Sequence, residues 1–140
     1  MINVESYTED IKAIRETVNL MNMVVEADIK KVVAVDYLNA AGGIGVYKVD
    51  IASYNMGLVN ILVNSNKHEV IGFFSKFIIP KNTQRIIGIK LDLAKELCSI
   101  EVIDSDGTII KSIDTGMSMN SYTNLTKDAV TIGNKEFILN

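Results

Sequence analysis

The 140-residue sequence contains one cysteine, one proline and no tryptophan. A single cysteine cannot form an intrachain disulfide, and it cannot supply a zinc site that needs several thiolates. We therefore expect Cys98 to be a small buried apolar residue, which is the usual state of a free cysteine. The one proline, Pro80, follows the most apolar run of the chain and predicts the end of a strand there.

Histidine is equally scarce, because His68 is the only one in the chain. It lies in the polar stretch 64–69, where we expect it to be solvated at the surface. Nucleophilic catalysis usually pairs Ser or Cys with a histidine base, and zinc sites use several His or Cys ligands. We therefore predict no catalytic, cofactor-binding or metal-binding residues, no cofactor and no enzymatic activity. Two alternatives stay open: a Cys98–His68 pair, and catalysis by carboxylates alone.

The chain also lacks an excess of positive charge and any long apolar run. Its formal net charge is −3 and its pI is near 5.1, with Lys30-Lys31 as the only adjacent basic pair. Nucleic-acid binding needs clustered basic residues, so we predict no nucleic-acid partner. No apolar run approaches the roughly 18 residues of a membrane helix, and the polar start MINVESYTED does not resemble a signal peptide. We therefore predict no membrane partner and cytoplasmic expression without a signal peptide.

Apolar residues are abundant, at 48% of the chain, and their spacing changes along it. Over residues 1–28 they recur every three or four positions, which predicts an amphipathic N-terminal helix. Ser6 and Glu9 have the spacing of a capping box at its start. The apolar stripe either packs on the chain's own body or forms a short interface with a neighbouring subunit. Its members are Ile11, Ile14, Val18, Met21 and Val25.

Residues 29–140 show the pattern of short strands separated by turn-forming residues. We predict a mainly β fold, an antiparallel β-sandwich or barrel-like body of about 8–9 short strands in one compact unit, with an N-terminal α-helix. Residues 70–79 are apolar nearly throughout, which predicts a central strand buried on both faces. Residues 92–98 (DLAKELC) are ambiguous, because they also suit a two-turn helix. The terminal strands, near residues 130–132 and 137–139, predict a hairpin.

Two stretches resemble ligand-binding loops. The sequence DSDG at residues 104–107 has the acidic residues of a calcium loop. An EF-hand needs glycine at position 6 and a bidentate Glu at position 12, where this chain has Ile109 and Thr115. We therefore interpret DSDG as a hairpin turn with Gly107 in the left-handed conformation. Residues 42–45 (GGIG) lack the remaining features of a dinucleotide fingerprint or a P-loop, so we interpret them as a plain connection.

A third stretch, residues 115–128, is long and polar and is predicted to be a loop. Its methionines favour either a mobile segment or a contact with a neighbouring subunit. Together with the helical stripe, they complete the set of predicted interface residues: Ile11, Ile14, Val18, Met21, Val25, Met117 and Met119.

These observations favour a non-enzymatic structural or assembly subunit with protein partners, in a homo-oligomer or larger assembly. Isoleucine outnumbers leucine by 20 to 9 and lysine outnumbers arginine by 12 to 2, a bias typical of AT-rich genomes. The specific hypothesis is a bacteriophage component (a decoration, head, collar or tail protein) that is incorporated into the virion. The alternative is a β-sandwich module that binds a small ligand or carbohydrate. Its predicted lining consists of Tyr47, Tyr54, Asn55, Tyr122 and Asn124.

Overall fold

The computed structural model describes residues 4–20, 30–35, 43–50, 58–64, 66–83, 85–118 and 122–140. Within these ranges the chain forms one α-helix and ten β-strands, which confirms the predicted mainly β fold with an N-terminal helix. Contacts divide the chain into two compact units, Met1–Phe73 and Phe74–Asn140. The boundary predicted near residue 28 stays a prediction.

The strands are β1 (Lys30–Val35), β2 (Ile44–Asp50), β3 (Leu58–Asn64), β4 (Glu69–Ile78), β5 (Arg85–Asp92), β6 (Leu97–Asp104), β7 (Ile109–Ser118), β8 (Thr123–Leu125), β9 (Ala129–Ile132) and β10 (Lys135–Ile138).

The helix α1 (Val4–Leu20) is amphipathic, because its buried residues recur every four positions. Asp10, Ile14 and Val18 are buried, whereas most residues on the opposite side are exposed. The helix begins before Ser6, so the predicted capping box is wrong. The part of the predicted helical segment that follows α1 lies outside the described residues. No helix in the described ranges is both long and apolar enough to span a membrane.

In the first unit, β1, β2 and β3 form an antiparallel meander. β2 and β3 pair in continuous register, with Tyr47 directly opposite Ile61. Both side chains are fully buried, so the core of this unit lies along these two strands. The buried apolar residues of the unit are Ile14, Val18, Ile44, Val46, Tyr47, Val59, Ile61, Leu62, Val63 and Phe73.

The second unit contains the end of β4, the strands β5, β6 and β7, and a separate three-stranded sheet in the order β10-β9-β8. β5 and β6 are antiparallel and pair along their whole length, from Arg85 opposite Asp104 to Asp92 opposite Leu97. Cys98 is buried, as predicted, and burial raises the pKa of its thiol. The buried apolar residues are Phe74, Ile86, Ile87, Ile89, Leu91, Leu93, Cys98, Ile100, Val102, Ile103, Val130 and Ile132.

Two hairpin turns connect β5, β6 and β7. Residues 93–96 form the first, where the Asp92 carboxylate accepts a hydrogen bond from the Lys95 backbone N–H at 3.1 Å. The helical alternative for this segment is therefore wrong. The DSDG sequence forms the second turn, in which the Gly107 N–H donates to the Asp104 carbonyl at 2.9 Å and Gly107 has a φ of 88°. This geometry confirms the predicted hairpin.

Two other segment predictions are wrong: the burial of residues 70–79 on both faces, and the loop over residues 115–128. β4 is buried only at residues 72–74, and its ends are half-buried or exposed, so it is not covered on both faces along its length. The loop predicted for residues 115–128 is also absent as such, because β7 continues to Ser118 and β8 lies inside the predicted loop. β7 and β8 are largely exposed and partly polar, so the sequence has no run of apolar residues that predicts strands there.

β7 is an edge strand among the described strands, and its pairing with β6 is interrupted twice. The first irregularity leaves Ile110 unpaired between Ile109 and Lys111, both of which have partners on β6. The second contains Gly116, whose φ of 66° lies in the left-handed region that favours glycine. Bulges of this kind bend a strand, re-aim its side chains and hinder pairing with a further strand.

Candidate functional site

Two carboxylates are buried in the described part of the chain, Asp10 in α1 and Glu101 in β6. An ionised carboxylate is strongly disfavoured in an apolar core unless hydrogen bonds or opposite charges compensate it. Each position therefore needs a physical explanation, either as part of the fold or as part of a functional site.

Asp10 joins three segments of the first unit. The Tyr47 hydroxyl of β2 donates to Asp10 Oδ2 at 2.6 Å. Nδ1 of His68, in the turn between β3 and β4, lies 3.0 Å from Asp10 Oδ1. An ionised carboxylate only accepts hydrogen bonds, so with Asp10 in its ionised form Nδ1 of His68 is the donor in this contact. We refer to Asp10, Tyr47 and His68 as the Asp10 cluster.

The turn that carries His68 is shaped by Asn64. The side-chain oxygen of Asn64 accepts hydrogen bonds from the backbone N–H groups of Asn66 and Lys67 at 3.0 and 3.3 Å. His68 has a φ of 55°, which is uncommon for a residue other than glycine. Its side chain is 33% exposed and contacts a buried carboxylate, so the prediction of a solvated surface histidine is wrong.

The Asp10 cluster holds an imidazole in one orientation, which is one requirement for a general base. No group of three or more His, Cys, Asp or Glu side chains within the described ranges is arranged to hold a metal ion. The two contacts of Asp10 link α1 to β2 and to the turn between β3 and β4. The sequence analysis did not predict this link, although one signal was present. Asp10 stands one helical turn before Ile14 and two before Val18, so a carboxylate occupies the apolar face of α1.

The hydrogen-bond donors to Glu101 come from its own strand, β6, and from the neighbouring strand, β7. Glu101 Oε1 accepts hydrogen bonds from the hydroxyls of Ser99 at 3.3 Å and Ser112 at 3.1 Å. Both serines share its face, because one is two residues away on β6 and the other is opposite on β7. Oε2 has no hydrogen-bond partner among the described residues. On the other side Gly88 faces Glu101, and a Cβ at Gly88 would lie 2.6 Å from Phe74 Cδ2, so a larger residue would collide.

A cleft of about 370 Å³ opens in the second unit. Ile87, Val102 and Lys111 line it together, because they are directly opposite one another on β5, β6 and β7 and share one face. The bulge on β7 adds Ile110 to the same wall. The C-terminal sheet and the turn before β5 supply the remaining sides, with Leu139 among the lining residues.

More positive than negative side chains line this cleft. Lys111 Nζ donates to the Leu139 carbonyl oxygen at 2.9 Å, which fixes the ammonium group at the cleft wall. The Asn140 amide, which donates to Asp128 at 3.0 Å, and the Lys127 ammonium hold the pKa of the Asp128 carboxyl below its usual value. The charged lining side chains are Arg85, Lys111, Lys127 and Asp128.

The residues predicted as an interface are only partly described. Ile14 and Val18 are buried and Ile11 is half-buried, which fits the alternative that this stripe packs on the chain itself. Met117 on β7 is half-buried. Their role in an interface stays a prediction. Met21, Val25 and Met119 lie outside the described residues.

Of the residues predicted to line a ligand site, Tyr47, Tyr122 and Asn124 are described, and none of these three lines the cleft. Tyr47 is buried against Asp10, and Tyr122 and Asn124 are exposed. Tyr54 and Asn55 lie outside the described residues. Register and the β7 bulge create the cleft, and neither feature was visible in the spacing of aromatic and amide residues.

Several large apolar side chains of the second unit are exposed. Ile109 and Ile110 stand next to each other at the start of β7, Ile138 lies on β10 and Tyr122 precedes β8. Each of these four side chains is at least 40% exposed. Single exposed apolar residues are ordinary on a protein surface, but an adjacent pair on an edge strand is a candidate contact surface.

Comparisons of this chain with protein-family models, with curated proteins and with solved structures found no match. Functional proposals for it therefore depend on the geometry and chemistry of the residues described above.

Proposed function

We propose that this protein is a non-enzymatic assembly subunit that associates with further copies of itself. The observation that carries the proposal is the exposed apolar set of the second unit: Ile109, Ile110, Tyr122 and Ile138. Removing such side chains from water on association is favourable by about 25 cal/mol per Å² of apolar surface. A set of isoleucines on two different strands offers more of that surface than one isolated residue does.

The form of β7 limits how this contact is made. An edge strand can recruit another strand through its free backbone groups, but bulges interrupt that pairing. β7 has two such irregularities, at Ile110 and around Gly116. The contact we propose is therefore made by side chains packing on a neighbouring copy, with no continuous sheet between the copies.

The biological setting that we propose is a bacteriophage virion, with the chain made in the cytoplasm and then incorporated into the particle. The support for this setting is compositional: the excess of isoleucine over leucine and of lysine over arginine is typical of AT-rich coding sequences. A small β body with exposed apolar residues suits a repeated structural role, in which shape and outer contacts are what the particle uses.

Sedimentation velocity over a range of protein concentrations tests the assembly proposal. We expect the unmodified protein to form a defined oligomer, and the double variant Ile109→Thr, Ile138→Thr to shift toward monomer because it removes exposed apolar surface outside the cleft. Ile79→Thr is the matched control, since Ile79 is 39% exposed in the same unit but lies after β4. A monomer at millimolar concentration, or equal dissociation by the control, would contradict the proposal.

A further inference from the structure

We propose that the cleft of the second unit binds a small organic anion, a carboxylate or phosphate ester carried on a short apolar body. This inference does not rest on assembly, because it concerns a different site: of the four exposed side chains proposed for assembly, only Ile110 also lines the cleft. The volume of about 370 Å³ lies at the small end of the range for ligand pockets in proteins, so it suits a small molecule. The remaining argument concerns the charge, the hydrogen-bond donors and the apolar wall.

Charge selects an anion. The chain as a whole has a net charge of −3, yet the cleft is lined by three cationic side chains and one carboxylate. The carboxylate, Asp128, is already paired with Lys127 at 3.2 Å and hydrogen-bonded by Asn140. Arg85 and Lys111 are therefore left as positive charges that Asp128 does not compensate. A locally positive cleft on an acidic chain attracts anions in preference to neutral or cationic molecules.

Arg85 and Lys111 supply the hydrogen-bond donors for an anion in the cleft. No carboxylate in the described ranges forms an ion pair with Arg85. Asp104 stands opposite it on β6 and accepts a hydrogen bond from the Ser105 N–H at 2.9 Å, but its carboxylate forms no ion pair with Arg85. The Arg85 guanidinium therefore keeps a planar set of donors that fits a carboxylate or a phosphate. Lys111 uses one N–H on the Leu139 carbonyl, which positions the ammonium and leaves two further donors.

The apolar wall selects an organic anion over an inorganic one. Ile87 and Val102 form the strand floor, and Ile110 and Leu139 stand beside it. Burial of a short alkyl or aryl group on this wall adds a favourable term that a bare phosphate ion cannot obtain. A ligand that presents its charge to Arg85 and its body to the isoleucines uses both halves of the cleft.

Titration followed by amide NMR chemical shifts tests the proposal, with hexanoate, hexyl phosphate and inorganic phosphate as the three probes. We expect saturable shifts of cleft residues with hexanoate, hexyl phosphate or both, which identifies the preferred head group. Inorganic phosphate is expected to bind at least about tenfold more weakly than hexyl phosphate, because it lacks the alkyl body. Equal binding of the two phosphates, or no saturable binding of either hexyl compound, would overturn the proposal.

The two arginines of the chain give a matched pair of variants. Arg85→Gln removes the guanidinium from the cleft and should weaken binding of the preferred probe about tenfold, since a charge-assisted hydrogen bond is lost. Arg15→Gln alters the exposed arginine of α1 and should leave binding unchanged. Circular dichroism establishes that both variants remain folded. Equal weakening by the two would mean a general charge effect and would overturn the assignment to the cleft. The Ile109→Thr, Ile138→Thr variant should still bind, which separates this site from the assembly surface.

Discussion

Asp10 and Glu101 are buried carboxylates in different units, and their surroundings differ. Each oxygen of Asp10 has a hydrogen-bonding partner, and the two partners, Tyr47 and His68, come from segments 37 and 58 residues away. Glu101 has both of its partners on one oxygen, and they come from its own strand and the adjacent one. Its second oxygen has none among the described residues.

The difference shows that burial alone does not tell whether a charged group stabilises a fold. When both oxygens of a buried carboxylate accept hydrogen bonds, the carboxylate links the segments that supply the donors. Removing it leaves those donors buried without an acceptor, which destabilises the fold. A buried carboxylate with an orphan oxygen retains part of its desolvation penalty in the folded state. We therefore expect Asp10 to stabilise the protein and Glu101 to destabilise it relative to an apolar residue of similar volume.

The largest expected effect is that of Asp10→Ala. This substitution leaves the buried Tyr47 hydroxyl without its acceptor and releases His68, so we expect the free energy of unfolding to fall by about 3 kcal/mol. Urea unfolding followed by circular dichroism measures the change. Glu16→Ala, at an exposed position of the same helix, is the control and should have little effect. Equal losses in the two variants would mean that the Asp10 cluster does not hold the first unit together.

Tyr47→Phe gives a smaller and more specific change, because it removes only the hydroxyl that donates to Asp10 Oδ2. We expect a loss of about 1.5 kcal/mol, the usual result of deleting one partner of a buried hydrogen bond to a charged group. Tyr122→Phe removes a hydroxyl from an exposed side chain and serves as the control. In the double variant with Asp10→Ala the two losses should not add, since both remove the same contact. Additive losses would count against the contact.

Local patterns predicted much of the fold. The hairpin between β9 and β10 follows from Gly133 and Asn134, which turn the chain between two alternating runs, and the structure confirms it. The DSDG turn was readable for the same reason, because Asp104 and Gly107 have turn preferences that act over four residues. Local patterns did not predict the ends of all strands. β7 and β8 are partly polar and extend into a region that was predicted to be a loop. They form there through pairing with neighbouring strands, which the spacing of residues in the sequence does not show.

The candidate sites could not be predicted in this way. The partners of Asp10 lie far along the chain, so no spacing pattern connects them until the helix, strand and turn are in place. The cleft depends on strand register and on the bulge at Ile110, and a shift of one residue would turn Lys111 to the opposite face of the sheet. What the sequence did contain was a polar residue in an apolar pattern, Asp10 on the helix stripe and Glu101 between Ile100 and Val102.

Replacing Glu101 reverses the sign of the expected effect. Glu101→Met keeps a similar volume and removes the orphan oxygen. The hydroxyls of Ser99 and Ser112 lose their acceptor, but neither serine is fully buried, so water can replace it. We expect the free energy of unfolding to rise by about 1 kcal/mol, as found when buried charges are replaced by apolar groups of similar size. Glu136→Met, at an exposed position of β10, is the control. A loss of stability in Glu101→Met would show that Oε2 is compensated in solution, and the contrast with Asp10 would fail.

An exposed carboxylate sharpens the comparison further and should show the smallest effect. The hydrogen bond from the Asn140 amide, followed by that from Lys127, lowers the pKa of Asp128. Because the folded pKa is below the unfolded one, the resulting stability is present above the unfolded pKa, about 3.9, and is lost as the pH falls through the folded value. Carbon-detected NMR titration of the Asp128 carboxyl should show its pKa rising in Asn140→Ala and unchanged in Asn124→Ala. The stability difference between Asn140→Ala and the unmodified protein should also disappear below the folded pKa. A difference that persists in acid would assign the effect of Asn140 to packing, and Asp128 would then owe its lowered pKa to Lys127 alone.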